Sequence, residues 1–74
     1  MIAEKDKKII RYAVMCVHEF GSRFELDDLS AFRYLKANGG LQFLLEQYEI
    51  EHTLGLDAAI EDMQYVCKKN GGLI

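Results

Sequence analysis

The sequence has no proline and no tryptophan, only two cysteines, and glycine confined to a few punctuation points. Without proline, nothing interrupts the helix-compatible stretches, and an all-α chain is favoured. Two cysteines are too few for a disulfide framework. Cys16 and Cys67 both fall on apolar helix faces, where a free cysteine behaves as a small hydrophobe, so a reducing, cytoplasmic setting is expected. Long apolar runs are missing too. After Lys5, Lys7 and Lys8 the first one is broken by Arg11 and ended by His18-Glu19, too short for a signal peptide or a membrane span. No membrane association is therefore expected.

What is present is one helical domain over residues 1–74, half of it hydrophobic. That content argues against disorder. A chain of this size buries only about 60% of its unfolded surface, so its core is small, and one copy has no room for an enzyme cleft of usual volume. The net charge of −3 is unevenly distributed: +2 over residues 1–18, −7 over 19–62 and +2 over 63–74. That distribution serves solubility, or else makes an acidic middle surface that prefers a basic partner and disfavours nucleic acid.

The chain organises around Ile9 to Phe24. At about 100° per residue, Ile9, Ile10, Ala13, Val14, Cys16, Val17 and Phe20 fill an arc wider than an amphipathic stripe. Such a helix needs neighbours on more than one side, which predicts the central helix of a small four-helix bundle. It is expected to stop at Gly21, with Gly21 to Leu26 as a turn. A second helix should be capped by Asp27 or Asp28, bury Leu26, Leu29, Phe32 and Leu35, and end at Ala37-Asn38-Gly39-Gly40. The third runs from about Leu41 to His52. Leu41, Leu44, Leu45 and Tyr48 match the i, i+3, i+4, i+7 template, and a second apolar face holds Phe43, Ile50 and Leu54, with Glu46, Glu49 and Glu51 between the faces. The fourth is capped by Asp57, buries Ala59, Ile60, Met63, Val66 and Cys67, and ends at Asn70-Gly71-Gly72.

Catalytic signatures are absent. Glu49-Ile-Glu-His52 has the Glu-x-x-His spacing of di-iron bundles, but those need a second copy and two further glutamates; no other Glu is followed by His at that spacing. Cys16 and His18 point to different sides of a helix, and no zinc spacing occurs. Cys67 and His52 could meet in space, though no spacing demands it. Gly39-Gly40 and Gly71-Gly72 read as helix ends and not as phosphate cradles. The expectation is no enzyme, no metal and no cofactor. Two short helices joined at Asn38-Gly39-Gly40 resemble a helix-turn-helix, but the second offers a DNA groove three glutamates and no Lys or Arg. Protein binding remains, with Phe43, Ile50 and Leu54 as contact surface and Glu46 and Glu49 as charged rim. The occupant is either another protein or a second copy. A DNA-binding regulator and a homo-oligomer with its seam on the third helix are the alternatives.

The block from Tyr48 through His52-Thr53 to Ile60-Glu-Asp62-Met63 resembles a family of short bacterial proteins of unknown function. Their pattern is an aromatic residue, a His-Thr pair and a helix with an Ile-x-Asp core. Residues 7 to about 68 have a compatible layout. The resemblance implies an apolar residue before the His-Thr pair, where this chain has Glu51. It also implies an antitoxin-like or accessory role, sometimes beside ADP-ribosyltransferase-like proteins, and no catalytic residues. Tyr48, His52, Thr53 and Asp62 map onto its characteristic positions. Thr53 can serve as a cap, and Asp62 as a hydrogen-bond partner for His52 across the helix corner; the alternative is that His52 and Asp62 line a small pocket that grips a partner.

Overall fold

A computed structural model describes residues 3–74. Among these the chain is all-α, with five helices: α1 (Glu4–Phe24), α2 (Asp28–Ala37), α3 (Gly40–Glu46), α4 (Tyr48–Leu54) and α5 (Leu56–Lys69). The count exceeds the expected four because the third helix breaks at Gln47, whose φ of −106° and ψ of 21° lie outside the helical well. The break redirects the chain so that both α3 and α4 lie against α5. No glycine or proline marks the site.

Helix α1 runs through Gly21 and ends one turn later than expected. Gly21 is buried, and a Cβ there would stand 2.6 Å from the Leu26 carbonyl oxygen. The glycine permits a close return of the chain and does not cap the helix. The end comes at Glu25, in the left-handed region at φ 59°, with the Leu26 N–H bonded to the Gly21 carbonyl at 2.8 Å. Helix α5 closes in the same way. Gly71 sits at φ 97°, and the Gly72 N–H bonds to the Cys67 carbonyl at 2.8 Å. These are Schellman motifs, one built on the residue that tolerates the conformation and one on a residue that does not.

Asp27 caps α2 as expected, its carboxylate accepting from the Ser30 N–H at 2.7 Å, which holds its pKa down. Asp57 does not cap the last helix. Gly55, at φ 101° and ψ 164°, takes that place because only glycine enters that region freely. Asp57 instead pairs with Arg23, tying the end of α1 to the start of α5. The last residues fold back: the Ile74 N–H donates to Tyr34 Oη at 3.0 Å, and Gln64 Nε2 donates to the Ile74 carbonyl at 3.2 Å.

The core comprises Ala13, Cys16, Val17 and Phe20 of α1, Ala31 and Leu35 of α2, Leu44 of α3, and Ala59, Ile60, Met63 and Cys67 of α5. Phe20 is fully buried, its ring 4.6 Å from that of Phe24 and 5.8 Å from that of Tyr34. Two expectations about burial fail. Helix α1 is not enclosed, since Ile10 and Val14 are exposed. Leu29 and Phe32 are exposed as well, because α2 turns Ala31 and Leu35 inward instead.

Two substitutions test this packing. Glu25→Gly should stabilise the protein by about 1 kcal/mol, since glycine relieves the left-handed strain; the melting temperature should rise by about 4–8 °C. Gly40→Ala should cost about 1–2 kcal/mol net, because its Cβ would stand 2.7 Å from Cys67 Sγ and 3.0 Å from Leu35 Cδ2.

Candidate protein-binding groove

The two apolar faces of the expected third helix part company at Gln47. Phe43 is half-buried and packs against the core, whereas Ile50 and Leu54 on α4 are each 58% exposed. Phe43, Ile50 and Leu54 therefore do not form one free face. Glu46 and Glu49 are exposed, and Glu49 pairs with Lys5 of α1 at 3.2 Å.

A larger apolar surface lies elsewhere. Ile10, Ala13, Val14 and Val17 of α1, Leu29 and Phe32 of α2, and Leu41 and Leu45 of α3 line an open groove of about 520 Å³. Its walls are uncovered: Val14 is 64% and Leu29 56% exposed. Asp28 is the one charged residue in the lining, and its carboxylate meets His18 Nδ1 of α1 at 2.9 Å. Lys36 stands 6.0 Å from the Phe32 ring centroid. Of the lining, Ile10, Val14, Leu29 and Phe32 were expected on buried helix faces and are exposed. The signal for their real place was the over-wide arc of the first helix, which asked for more neighbours than the chain supplies.

The four characteristic positions take up local roles around α4. His52 stacks on Tyr48, with centroids 4.4 Å apart, and its Nδ1 bonds to the Tyr48 carbonyl at 2.8 Å. Thr53 Oγ1 donates to the Glu49 carbonyl at 2.8 Å. The expected His52–Asp62 pairing does not form; Asp62 interacts with Glu51. Glu51, expected among the solvated separators, is only 3% exposed, and its Oε1 has no hydrogen-bond partner. Burial first, then the Asp62 hydrogen bond and charge, push its pKa up to about 7. Tyr12 of α1 donates its hydroxyl to the Glu51 main-chain carbonyl at 3.4 Å, and burial raises its pKa to about 12.

Burial raises the Cys16 thiol to about pKa 11 and shifts Cys67 upward too, which suits packing and not attack. Cys67 packs at Gly40 while His52 packs at Tyr48, so the two are not brought together. Among the described residues no three His, Cys, Asp or Glu converge on a metal position, and no helix is long and apolar enough to cross a membrane. The helix-turn-helix comparison weakens on geometry. Helix α3 has seven residues and no cation. Lys5, Lys7, Lys8 and Arg11 lie in the first turns of α1, Lys68 and Lys69 at the end of α5, and Arg23, Arg33 and Lys36 at the end of α1 and on α2.

Comparison with known proteins gives one match. A family model described as a protein of unknown function, DUF3791, aligns with residues 11–70, a span that includes the Tyr48 to Met63 block. No curated protein and no solved structure matches the chain.

A charge on the exposed side of α4 should be tolerated, whereas even a truncation in the core should not. Ile50→Glu is expected to fold with stability within about 0.5 kcal/mol of wild type, whereas Leu44→Ala, at a fully buried position, should lose about 2–5 kcal/mol in denaturant unfolding.

Proposed function

The chain belongs to the DUF3791 family of proteins of unknown function, and from its own surface we propose that it is a non-catalytic protein-binding module whose α1–α2–α3 groove receives an apolar helix of a partner protein. One observation carries this: an apolar groove of about 520 Å³ walled by three helices, on a domain too small to leave such surface idle. The α1 wall runs from Ile10 to Val17, about two helical turns. An occupying helix would therefore lay down anchors at i, i+3 or i+4, and i+7.

The family resemblance supplies the finer part of the proposal. It suggests an antitoxin-like or accessory subunit for an ADP-ribosyltransferase-like protein encoded beside it. The segment covering the active region of that protein, or stabilising it, would be the helix held in the groove. A DNA-binding role has less support, because the cations do not gather at α3.

The test is calorimetric titration of the neighbouring protein with wild type, Val14→Glu and Ile50→Glu, with molar mass by light scattering for each. Val14 is exposed, so the variant should fold, and a carboxylate facing an apolar helix should weaken binding at least tenfold. Ile50→Glu should bind normally. If Val14→Glu instead splits a wild-type dimer and leaves partner affinity unchanged, the groove is a homodimer seam. If only Ile50→Glu loses affinity, the contact surface is on α4.

A further inference from the structure

The groove is apolar inside and basic along two of its flanks. On α1, Arg11 adjoins Ile10 and stands one helical turn before Val14. On α2, Lys36 follows Phe32 by one turn, and its ammonium lies 6.0 Å from the Phe32 ring centroid. Arg33 adjoins Phe32 and stands one turn past Leu29. Arg11, Arg33 and Lys36 are all exposed, and none takes part in an ion pair among the described residues. The acids of the chain are mostly engaged or lie elsewhere. Asp28, in the lining, meets His18 Nδ1; Asp27 caps α2; Glu49 and Asp57 pair with Lys5 and Arg23. Glu61 and Asp62 belong to α5, which contributes nothing to the lining. Two acids do come near. Asp6 precedes Ile10 by one turn and Glu46 adjoins Leu45, so acid marks the start of α1 and the end of α3 while cations mark the flanks between.

We propose that the helix received by the groove is amphipathic and acid-flanked: beside its apolar anchors, the positions facing α1 and α2 carry Asp or Glu, which meet Arg11, Arg33 and Lys36. The assignment rests on the groove being a helix site, as proposed above, and adds the charge of the partner. A partner helix with uncharged flanks would leave three cations at the closing interface without a counter-charge. Pairs at such a rim add little affinity each, but together they discriminate, because a basic flank is repelled at the same positions where an acidic one is attracted. The net charge of −3 favours a basic partner instead. At contact the nearest charges decide, since screening acts over about 8 Å at physiological salt. Whole-chain charge and groove flanks thus demand opposite partners, and one experiment separates them.

The probes are three synthetic helical peptides with identical leucine anchors at i, i+3 and i+7 and with flanking positions that are all Glu, all Gln or all Lys. These three residues have similar helix propensity, so the peptides differ chiefly in charge. Each is titrated calorimetrically into wild type, Arg11→Gln/Lys36→Gln and Val14→Glu, at about 0.1 M and about 1 M salt. Wild type at the lower salt should bind the Glu-flanked peptide at least about tenfold more tightly than the Lys-flanked one, and the ratio should collapse at the higher salt. Arg11 and Lys36 are exposed, so the double variant should fold as wild type does. It should bind the Glu-flanked peptide at least about threefold more weakly and the Gln-flanked peptide unchanged. Equal binding of the Glu- and Lys-flanked peptides, or preference for the latter, overturns the acid-flanked partner and leaves the groove as a helix site. The groove itself is tested by the Gln-flanked peptide, which Val14→Glu should weaken at least about tenfold. If Val14→Glu binds it as wild type does, or if no peptide binds wild type, the groove is not a helix site and both readings fall.

Discussion

The close approach of Gly40 to Cys67 sets the course of the chain. There is no room for even a methyl group between the first turn of α3 and the side of α5, with Cys67 Sγ, Leu35 Cδ2 and the Met63 carbonyl all within 3.3 Å of where a Cβ would be. Drawn in this tightly, α3 gives Leu44 to the core and leaves Leu41 and Leu45 on its other flank, toward α1 and α2. The groove follows from that choice. Leu41 and Leu45 complete a wall whose other sides are Ile10, Val14 and Val17 of α1 and Leu29 and Phe32 of α2.

The same constraint shapes the second half. The irregular residue at Gln47 separates α3 from α4, and both helices lie against α5. That arrangement buries Glu51 at the α4–α5 contact and turns Ile50 and Leu54 outward. One helix thus places its acidic residue inside and two of its apolar residues outside, an inversion of the usual order that costs stability unless the acid is neutral and hydrogen-bonded.

Much of the fold was legible in the sequence, and the failures have definite causes. The Asp27 cap, the turn at Asn38-Gly39 and the close of α5 at Gly71 were readable because each depends on local chemistry that few residues provide. Gly21 misled because a glycine that ends a helix and one that admits a passing backbone look alike in one dimension. The three-residue spacing of Leu29, Phe32 and Leu35 placed them along one side of α2 but could not say that the chain would cover only Leu35. Glu51 was grouped with Glu46 and Glu49 by residue type, and the break at Gln47 rotated it away from them. The groove was half visible: the wide arc of α1 announced a demand for neighbours, but the identity of the side left bare depended on how tightly α3 would close on α5.

Cys16 and Cys67 are both fully enclosed, one on each of the two longest helices. Each thiol is thus a chemical clock for its own helix. An alkylating reagent reaches it only when that helix lifts from the core, so the two alkylation rates measure separately how often α1 and α5 open. Equal rates would mean that the domain opens as one cooperative unit. A faster rate at Cys16 would mean that α1, the helix with a bare flank, leaves first and that a partner seated in the groove has a looser host to tighten.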